Sequence, residues 1–328
     1  EDLKDLLSPD EYESAKRTTF SQFFTSPLVM DAMHDALEGL GVPKGSVVLE
    51  PGCGKGAFMD RPGYRYVGVE LDSLSGRIAK ALHPQADIRI ESFADSKLPP
   101  VDAVIGNVPF ADVKLDYRGR KLSLHDFFVM KSVDALKPGG VLALVTSHYT
   151  LDKQNAGMRI ELGEKADFLG AIRLPCDAFK AEGTEVTTDI VFLRKRAPGQ
   201  EAIHADPEWL ETTTLGIDKA DLSVNRYFAN HHEQVLGDWS RKDTLYGSGF
   251  SVLPVGNLGS QLKAAVGRIV SGARQSEAER PNPPPAGPDR QAYLSSSPIS
   301  LTGHPDRQNP DNLAAKPAEL SADPADKL

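Results

Sequence analysis

The chain has 328 residues, 40% of them hydrophobic and 25% charged, which leaves room for a large α/β domain with an appendage and excludes full disorder. Its formal net charge of -9 argues against a protein that coats nucleic acid through a broad basic surface, without excluding a local groove. No apolar run is long enough for a membrane helix, "EDLKDLLSPD" lacks the features of a signal peptide, and two distant cysteines, Cys53 and Cys176, give neither a disulfide framework nor a zinc site, so a cytoplasmic protein held together by packing is expected.

In chain order, "SPDEYESA" reads as a helix start with Ser8 as N-cap and Pro9 at the first helical position. A second helix runs from about Pro27 to Leu40. Short β-type runs then alternate with helical segments, the pattern of a mostly parallel sheet covered by helices on both faces. Seven strands are expected: "SVVLE" ending at Glu50, "YRYVGVE" at Glu70, "ADIRIE" at Glu91, "VDAVIG" at Gly106, "GVLALVTS" at Ser147, "ADFLGAIRL" at Leu174 and "VTTDIVFLR" at Arg194. Helices are expected from Ser73 to Leu82, Ser123 to Leu136 and Asp152 to Glu164, with Pro138, Gly139 and Gly140 as punctuation after the second. Beyond Pro198 the pattern turns irregular, until "LGSQLKAAVGRIVSGA" reads as a closing amphipathic helix. From Ser271 onward fall ten of the 24 prolines, with few large apolar residues, which reads as a disordered linker. The expected organisation is therefore a helical segment with a cofactor-lining motif over 1–40, a core over 41–197, a small extension packing on the core over 198–270 and a tail over 271–328. A start at Glu1 rather than Met suggests a piece of something longer.

The first expected strand leads through "LEPGCGKGAFM" into what reads as a helix. Gly52, Gly54 and Gly56 allow a sharp turn and a close ligand approach. A Walker loop fails because Gly56 follows Lys55 where Ser or Thr is needed. The dinucleotide fingerprint fails because its third glycine comes one residue early, and Glu50 would repel a pyrophosphate. An acid before the loop suits a cationic ligand, and the α-ammonium of S-adenosylmethionine (SAM) is one. Glu70, closing "GVELD", is placed to accept the hydroxyls of a ribose, with Leu71 beside it to pack on adenine. The alternative is a glycine turn without a cofactor.

"IGNVPF", residues 105–110, ends the fourth expected strand, where ligands of open α/β sheets bind. An exocyclic amine conjugated to a purine is a poor nucleophile because its lone pair is delocalised. Two acceptors for its N–H groups draw the nitrogen towards tetrahedral geometry. Asn107 can supply its side-chain oxygen and Val108 its backbone carbonyl, followed by Pro109; Phe110 can stack on an extruded base. Pro at 108 would complete an Asn-Pro-Pro-aromatic loop, and Val is expected to leave the loop less rigid.

With these motifs in order, the chain resembles N6-adenine DNA methyltransferases whose cofactor region precedes the catalytic motif, and more closely the methylase portion of methylase–helicase fusions carried by bacteriophages, plasmids and integrative elements. "FFTSPLVMDAM" resembles the opening motif, "EPGCGKGAF" the cofactor loop, "GVELD" the ribose acid and "GNVPF" the catalytic loop. "LHDFFVMKSVDALKPGGVLALVTS" and "LPCDAFKAEGTEVTTDIVFLRK" resemble the segments that follow, so the likeness spans about Leu6 to Lys195. The resemblance implies a Rossmann-like seven-stranded SAM-dependent methyltransferase fold, here with a short irregular C-terminal extension. It implies that Thr25 lines the methionine end of SAM, that Glu50, Gly52, Cys53, Gly54, Glu70, Leu71 and Phe93 hold the cofactor, and that Phe179 closes the second face of the target base. One departure is Ser92, where the family usually has Asp for the cofactor's adenine; Glu91 or Asp95 could substitute.

Other residues carry weaker readings. His34, His83, His125, His204, His231, His232 and His304 show no metal-ligand spacing beyond an adjacent pair, and no metal is expected. His125-Asp126 reads as a helix-start capping pair rather than an acid/base dyad. Arg118, Arg120 and Lys121 in "YRGRKL" are candidates for phosphate contact, or a solvated loop. The expected activity is methyl transfer from SAM to N6 of adenine in DNA, without a general base and with loose specificity or specificity from a fused or associated helicase or other DNA-processing protein. The alternatives are methylation of guanine N2 in RNA or of a protein glutamine, or a lapsed module that only binds DNA or a partner.

Overall fold

The computed structural model describes residues 25–179, 186–241 and 249–280. The helix start at Ser8, Phe23 and Phe24 of the opening motif, and the Pro-rich stretch beyond Arg280 lie outside the described residues.

Seven strands form one sheet, in the order Asp87–Ile90 (β3), Arg65–Glu70 (β2), Val47–Pro51 (β1), Val101–Asn107 (β4), Leu136–Ser147 (β7), Thr188–Lys195 (β9) and Ala166–Arg173 (β8). Only β9 is antiparallel to its neighbours. This is the seven-stranded Rossmann-like α/β architecture expected from the sequence. Successive side chains of a strand point to opposite faces, so each strand feeds two cores. Val48, Ile105, Val145 and Phe192 enter one core, and Leu49, Val104, Leu144 and Val191 the other. The first core is covered by α1 (Pro27–Gly39), through Val29, Met33 and Leu37, and by α7 (Leu258–Glu279), through Leu262, Val266 and Ile269. On the opposite face lies α3 (Leu124–Ala135), with Phe127, Val129, Met130 and Val133 buried. Ser73–Leu82 (α2) links β2 to β3. Among the described residues no helix is long and apolar enough to cross a membrane.

Several local expectations change. The segment "YRGRKL" is not a loop: Lys114–Tyr117 (β5) and Arg120–Ser123 (β6) form a hairpin, with Arg118 and Gly119 at φ 52° and 78° in its two-residue turn. The glycine loop leads into a four-residue 3-10 helix, Ala57–Asp60, rather than an α-helix. The helix expected from Asp152 to Glu164 is split into α4 (Tyr149–Asp152) and α5 (Gly157–Lys165), because Asn155 Oδ1 accepts the Gly157 N–H at 2.9 Å and turns the chain between them. The closing helix continues past Ser271 to Glu279, since Ala273 is buried and Arg274 donates to the Gly39 carbonyl at 3.0 Å.

The extension is also more regular than expected. It holds the hairpin β10 (Thr212–Ile217) and β11 (Ala220–Asn225), the short helix α6 (Arg226–Asn230) and the antiparallel pair β12 (Gly237–Ser240) and β13 (Ser251–Pro254). A buried ionic hub ties it to the sheet. Arg173, at the end of β8 with no exposed side-chain surface, donates to both carboxylate oxygens of Asp189 at 2.8 Å and to Asp152 Oδ1 at 3.0 Å. The same Asp152 oxygen accepts the Asn225 N–H at 2.7 Å, and the Phe228 ring lies 4.1 Å from the guanidinium. Burial alone would pull the Arg173 pKa down, but Asp152 and Asp189 outweigh it and hold the charge in place.

Candidate active site

The strand order reverses between β1 and β4, so the chain leaves these neighbouring strands in opposite directions and opens a crevice at their carboxyl ends. The glycine loop follows β1 and "NVPF" follows β4. Gly52 sits at φ 66°, and a Cβ there would lie 3.3 Å from both Pro109 Cδ and Phe128 Cε1. A larger residue would be strained by its backbone and would press on Pro109. The two motifs therefore lie side by side, with no room for a side chain between them. Gly54 also has positive φ, and a Cβ on it would meet nothing within 4 Å, so this side of the loop faces open space.

Two acids line the start of the crevice. Glu50 is 3% exposed, and its Oε2 accepts no hydrogen bond among the described residues. Burial pushes its pKa well above the ordinary value, a backbone hydrogen bond from Phe58 opposes this, and Glu70 and Asp60 add to the rise. Glu70 Oε2 accepts the Gly54 N–H at 2.7 Å and Oε1 the Asp72 N–H at 2.8 Å, so it braces the loops after β1 and β2. Burial raises its pKa too. Cys53 turns its thiol into the core beneath the loop, where burial drives its pKa up, and its N–H is spent on the Val69 carbonyl at 3.1 Å.

Asn107 is the last residue of β4. Its Nδ2 donates to Thr25 Oγ1 at 3.2 Å, across 82 positions of sequence, which turns the amide oxygen away from Thr25. Thr25 is buried just ahead of α1. Val108 is 1% exposed in the aromatic-rich core, and its N–H donates to the Val145 carbonyl at 3.1 Å. The loop is thus tethered by a hydrogen bond that Pro could not make, where a looser loop had been expected. Val108→Pro should cost about 1 kcal/mol of stability through that lost bond, read by urea unfolding; a variant more stable than the parent would show the tether to be unimportant. Phe110 is half-buried and packs against both cores.

Other candidates stand elsewhere. Leu71 is 73% exposed beside Glu70. Phe93 packs in the core with its ring centroid 5.0 Å from that of Phe128, and Ser92 Oγ accepts the Ala94 N–H within the turn after β3. Phe179 is 1% exposed, a core side chain rather than a presented ring. Arg118 pairs with Asp134 at 2.9 Å and Arg120 with Glu161, each from a half-exposed side chain, so two of the three candidates for phosphate contact hold an ion pair within the fold; Lys121 is exposed. His125 and Asp126 form neither the expected cap nor an isolated dyad. Ser123 Oγ meets His125 Nε2 at 3.1 Å, and Lys153 joins Ser123 at 2.8 Å and also pairs with Asp126. Burial pushes the His125 pKa down to about 4. Among the described residues no group of His, Cys, Asp or Glu could hold a metal ion.

Sequence reasoning passed over His148 and Tyr149, which follow β7 beside the loop "NVPF". His148 Nδ1 meets Asp152 Oδ2 at 3.1 Å, and the Tyr149 ring lies on it with centroids 4.1 Å apart. A "HY" pair directly after a buried strand was the available signal.

No family model matches the sequence. Over 188 residues the chain is 30% identical to the Defense against restriction protein B of Escherichia phage P1, an alignment covering 53% of this chain and 8% of that protein. Among solved structures it is similar to a type I restriction-modification methyltransferase subunit from Streptococcus thermophilus, at 20% identity and TM-score 0.47, covering 64% of this chain and 52% of that one. It is also similar to the M protein of the type I restriction enzyme EcoKI, at 15% identity and TM-score 0.45, covering 84% and 74%. The chain thus spans a small fraction of the phage protein and about half of the streptococcal subunit; its fold rests on its own sheet order.

Proposed function

We propose that the chain is a SAM-dependent DNA methyltransferase acting on N6 of adenine. The observation that carries this reading is the junction of the two motifs: Asn107, aligned by Thr25, stands at the carboxyl end of β4 while Pro109 lies beside Gly52 of the loop that follows Glu50. A buried carboxylate with an unsatisfied oxygen suits the ammonium of SAM, and Glu70, which still has lone pairs, suits its ribose. Bound there, SAM would supply an electrophilic methyl on a sulfonium. Asn107 Oδ1 and the Val108 carbonyl accept hydrogen bonds from the target amine and raise the nucleophilicity of its nitrogen, while Phe110 stacks on the extruded base. With the cofactor bound, the amine oriented by Asn107 and Val108 would take the methyl carbon as its bond to sulfur breaks, and the surplus proton would leave to solvent.

The name of the phage relative, defence against restriction, fits a chemistry that marks DNA. Because the aligned part is 8% of that protein, further DNA-processing functions fused to or associated with this chain are part of the proposal. The candidate phosphate contacts of Arg118 and Arg120 would position DNA without reading its bases, so loose specificity for the isolated chain is part of the proposal. The test is transfer of labelled methyl from SAM to unmethylated DNA, with digestion to nucleosides. N6-methyladenine at many sequence contexts is expected; label on another base, on RNA or on protein would overturn the reading.

Glu50 gives this proposal a pH signature. Its raised pKa means that its contribution to unliganded stability is present below the unfolded-chain value and lost as pH rises to the folded one. A bound ammonium needs the carboxylate and therefore displaces a proton. SAM affinity should fall as pH drops through the raised pKa, and calorimetry in buffers of different ionisation enthalpy should register proton release. Glu50→Gln should abolish the release and weaken binding roughly ten- to a hundredfold. Unchanged proton release in that variant would remove Glu50 from the cofactor site.

A further inference from the structure

Tyr149 is 52% exposed and is the sole aromatic among the large exposed hydrophobic side chains of the described residues, the others being Leu, Ile or Val. Its place is set by the sheet. Asn107 of β4 is paired with Val145 of β7, and the Val108 N–H donates to the Val145 carbonyl, so the two chains leave adjacent parallel strands at the same edge. One carries Phe110 away from its strand and the other carries His148 and Tyr149.

The ring is also held from behind. Tyr149 lies on His148 at 4.1 Å between centroids and 34° between planes; His148 meets Phe250 at 5.0 Å, and Phe250 meets Trp239 at 5.0 Å. Asp152, 6% exposed, fixes His148 through Oδ2 and is itself bound by Arg173. The result is a series of four rings whose inner members are anchored to a buried ionic hub and whose outermost face meets solvent beside the loop "NVPF". Burying that face against a planar π-system stabilises the complex, and every nucleobase presents one.

We propose that Tyr149, backed by His148, is a nucleobase-stacking platform for the substrate strand. The inference takes its substrate class from the methyltransferase reading. Phe179 does not serve this purpose in the structure, being 1% exposed. The base seated on Tyr149 is either the extruded target or a neighbour in the same strand, and both present the same flat face.

The experiment places 2-aminopurine at the target adenine or at flanking positions of a DNA duplex and titrates it with wild type, Tyr149→Ala and Tyr149→Phe. A fluorophore seated on an aromatic ring is quenched. At one position the fluorescence of the complex is expected to be lower with wild type and Tyr149→Phe than with Tyr149→Ala; that position identifies the base. In methylation assays Tyr149→Ala should raise KM for DNA about tenfold, with SAM binding and melting temperature unchanged, since the side chain is exposed. A Tyr149→Ala protein that quenches, binds and methylates like wild type overturns the platform while leaving the methyltransferase reading intact. A wild type that binds DNA with Tyr149-dependent quenching but transfers no methyl keeps the platform and overturns the reading. Equal fluorescence of the wild-type and Tyr149→Ala complexes at every position overturns the platform.

Discussion

Asn107→Ala is expected to lower methyl transfer to DNA about a hundred- to a thousandfold, with SAM affinity changed by no more than about twofold. In the proposed reaction the carboxamide oxygen is one of two acceptors for the reacting amine, and its contribution would grow as positive charge develops on nitrogen. The loss should therefore appear in kcat rather than in KM. The donor end of the same amide is engaged by Thr25 Oγ1 at 3.2 Å, which in the proposed reaction gives Thr25 a positioning role, so its replacement should have a graded effect. Thr25→Val, which keeps the shape and loses the hydroxyl, should cost about tenfold in kcat, and Thr25→Ser should restore most of it. Single-turnover kinetics with labelled SAM would separate chemistry from product release. Wild-type turnover in Asn107→Ala would remove "NVPF" from the chemistry.

The parts of this arrangement that were legible in the sequence are those that local spacing encodes. Period-two burial of Val48 and Leu49 on opposite faces is a strand signal in itself, whereas the reversal of strand order that brings β1 beside β4 is seen only in the sheet, since no helix separates β3 from β4. Glu50 ahead of three glycines and Asn107 at a strand end are readable for the same reason: each is fixed by the strand preceding it. What could not be read depends on partners remote in sequence or on side-chain direction. Val108 looks like a deficient Pro until its N–H is seen bound to Val145. The pairing of Arg118 with Asp134, sixteen positions on, has no local signal, and nothing about an Arg announces φ 52° in a hairpin turn. Phe179 and Tyr149 are both aromatic residues just beyond strands, yet one is 1% and the other 52% exposed. Pattern alone does not say which way a ring turns.

Arg173→Leu should destabilise the protein by about 3–5 kcal/mol, because the two carboxylates that the guanidinium serves are left buried without a counter-charge. Asp152 is 6% exposed and Asp189 fully buried, so water cannot take over the role. The pH dependence has a definite sign. In the parent Arg173 holds the Asp152 pKa low against the opposing effect of burial. Without that cation burial governs both carboxyls: the folded pKa of Asp152 rises above the unfolded one, that of Asp189, already raised by burial in the parent, rises further, and stability is lost as pH rises from about 4 towards neutrality. The deficit of Arg173→Leu relative to the parent should thus shrink in acid, a trend that a packing defect alone would not produce. Adding Asp189→Asn to Arg173→Leu should recover part of the loss, since it removes one of the stranded charges. The site should be affected before the sheet unfolds. The hub holds His148 through Asp152 and receives Asn225 of the extension, so its loss should free the Tyr149 ring and loosen β10 to β13 at denaturant concentrations where the core persists. Hydrogen exchange resolved by segment would show this as early opening around residues 148–152 and 225–240; a uniform, pH-independent loss of stability would mean that Arg173 acts only as bulk in the core.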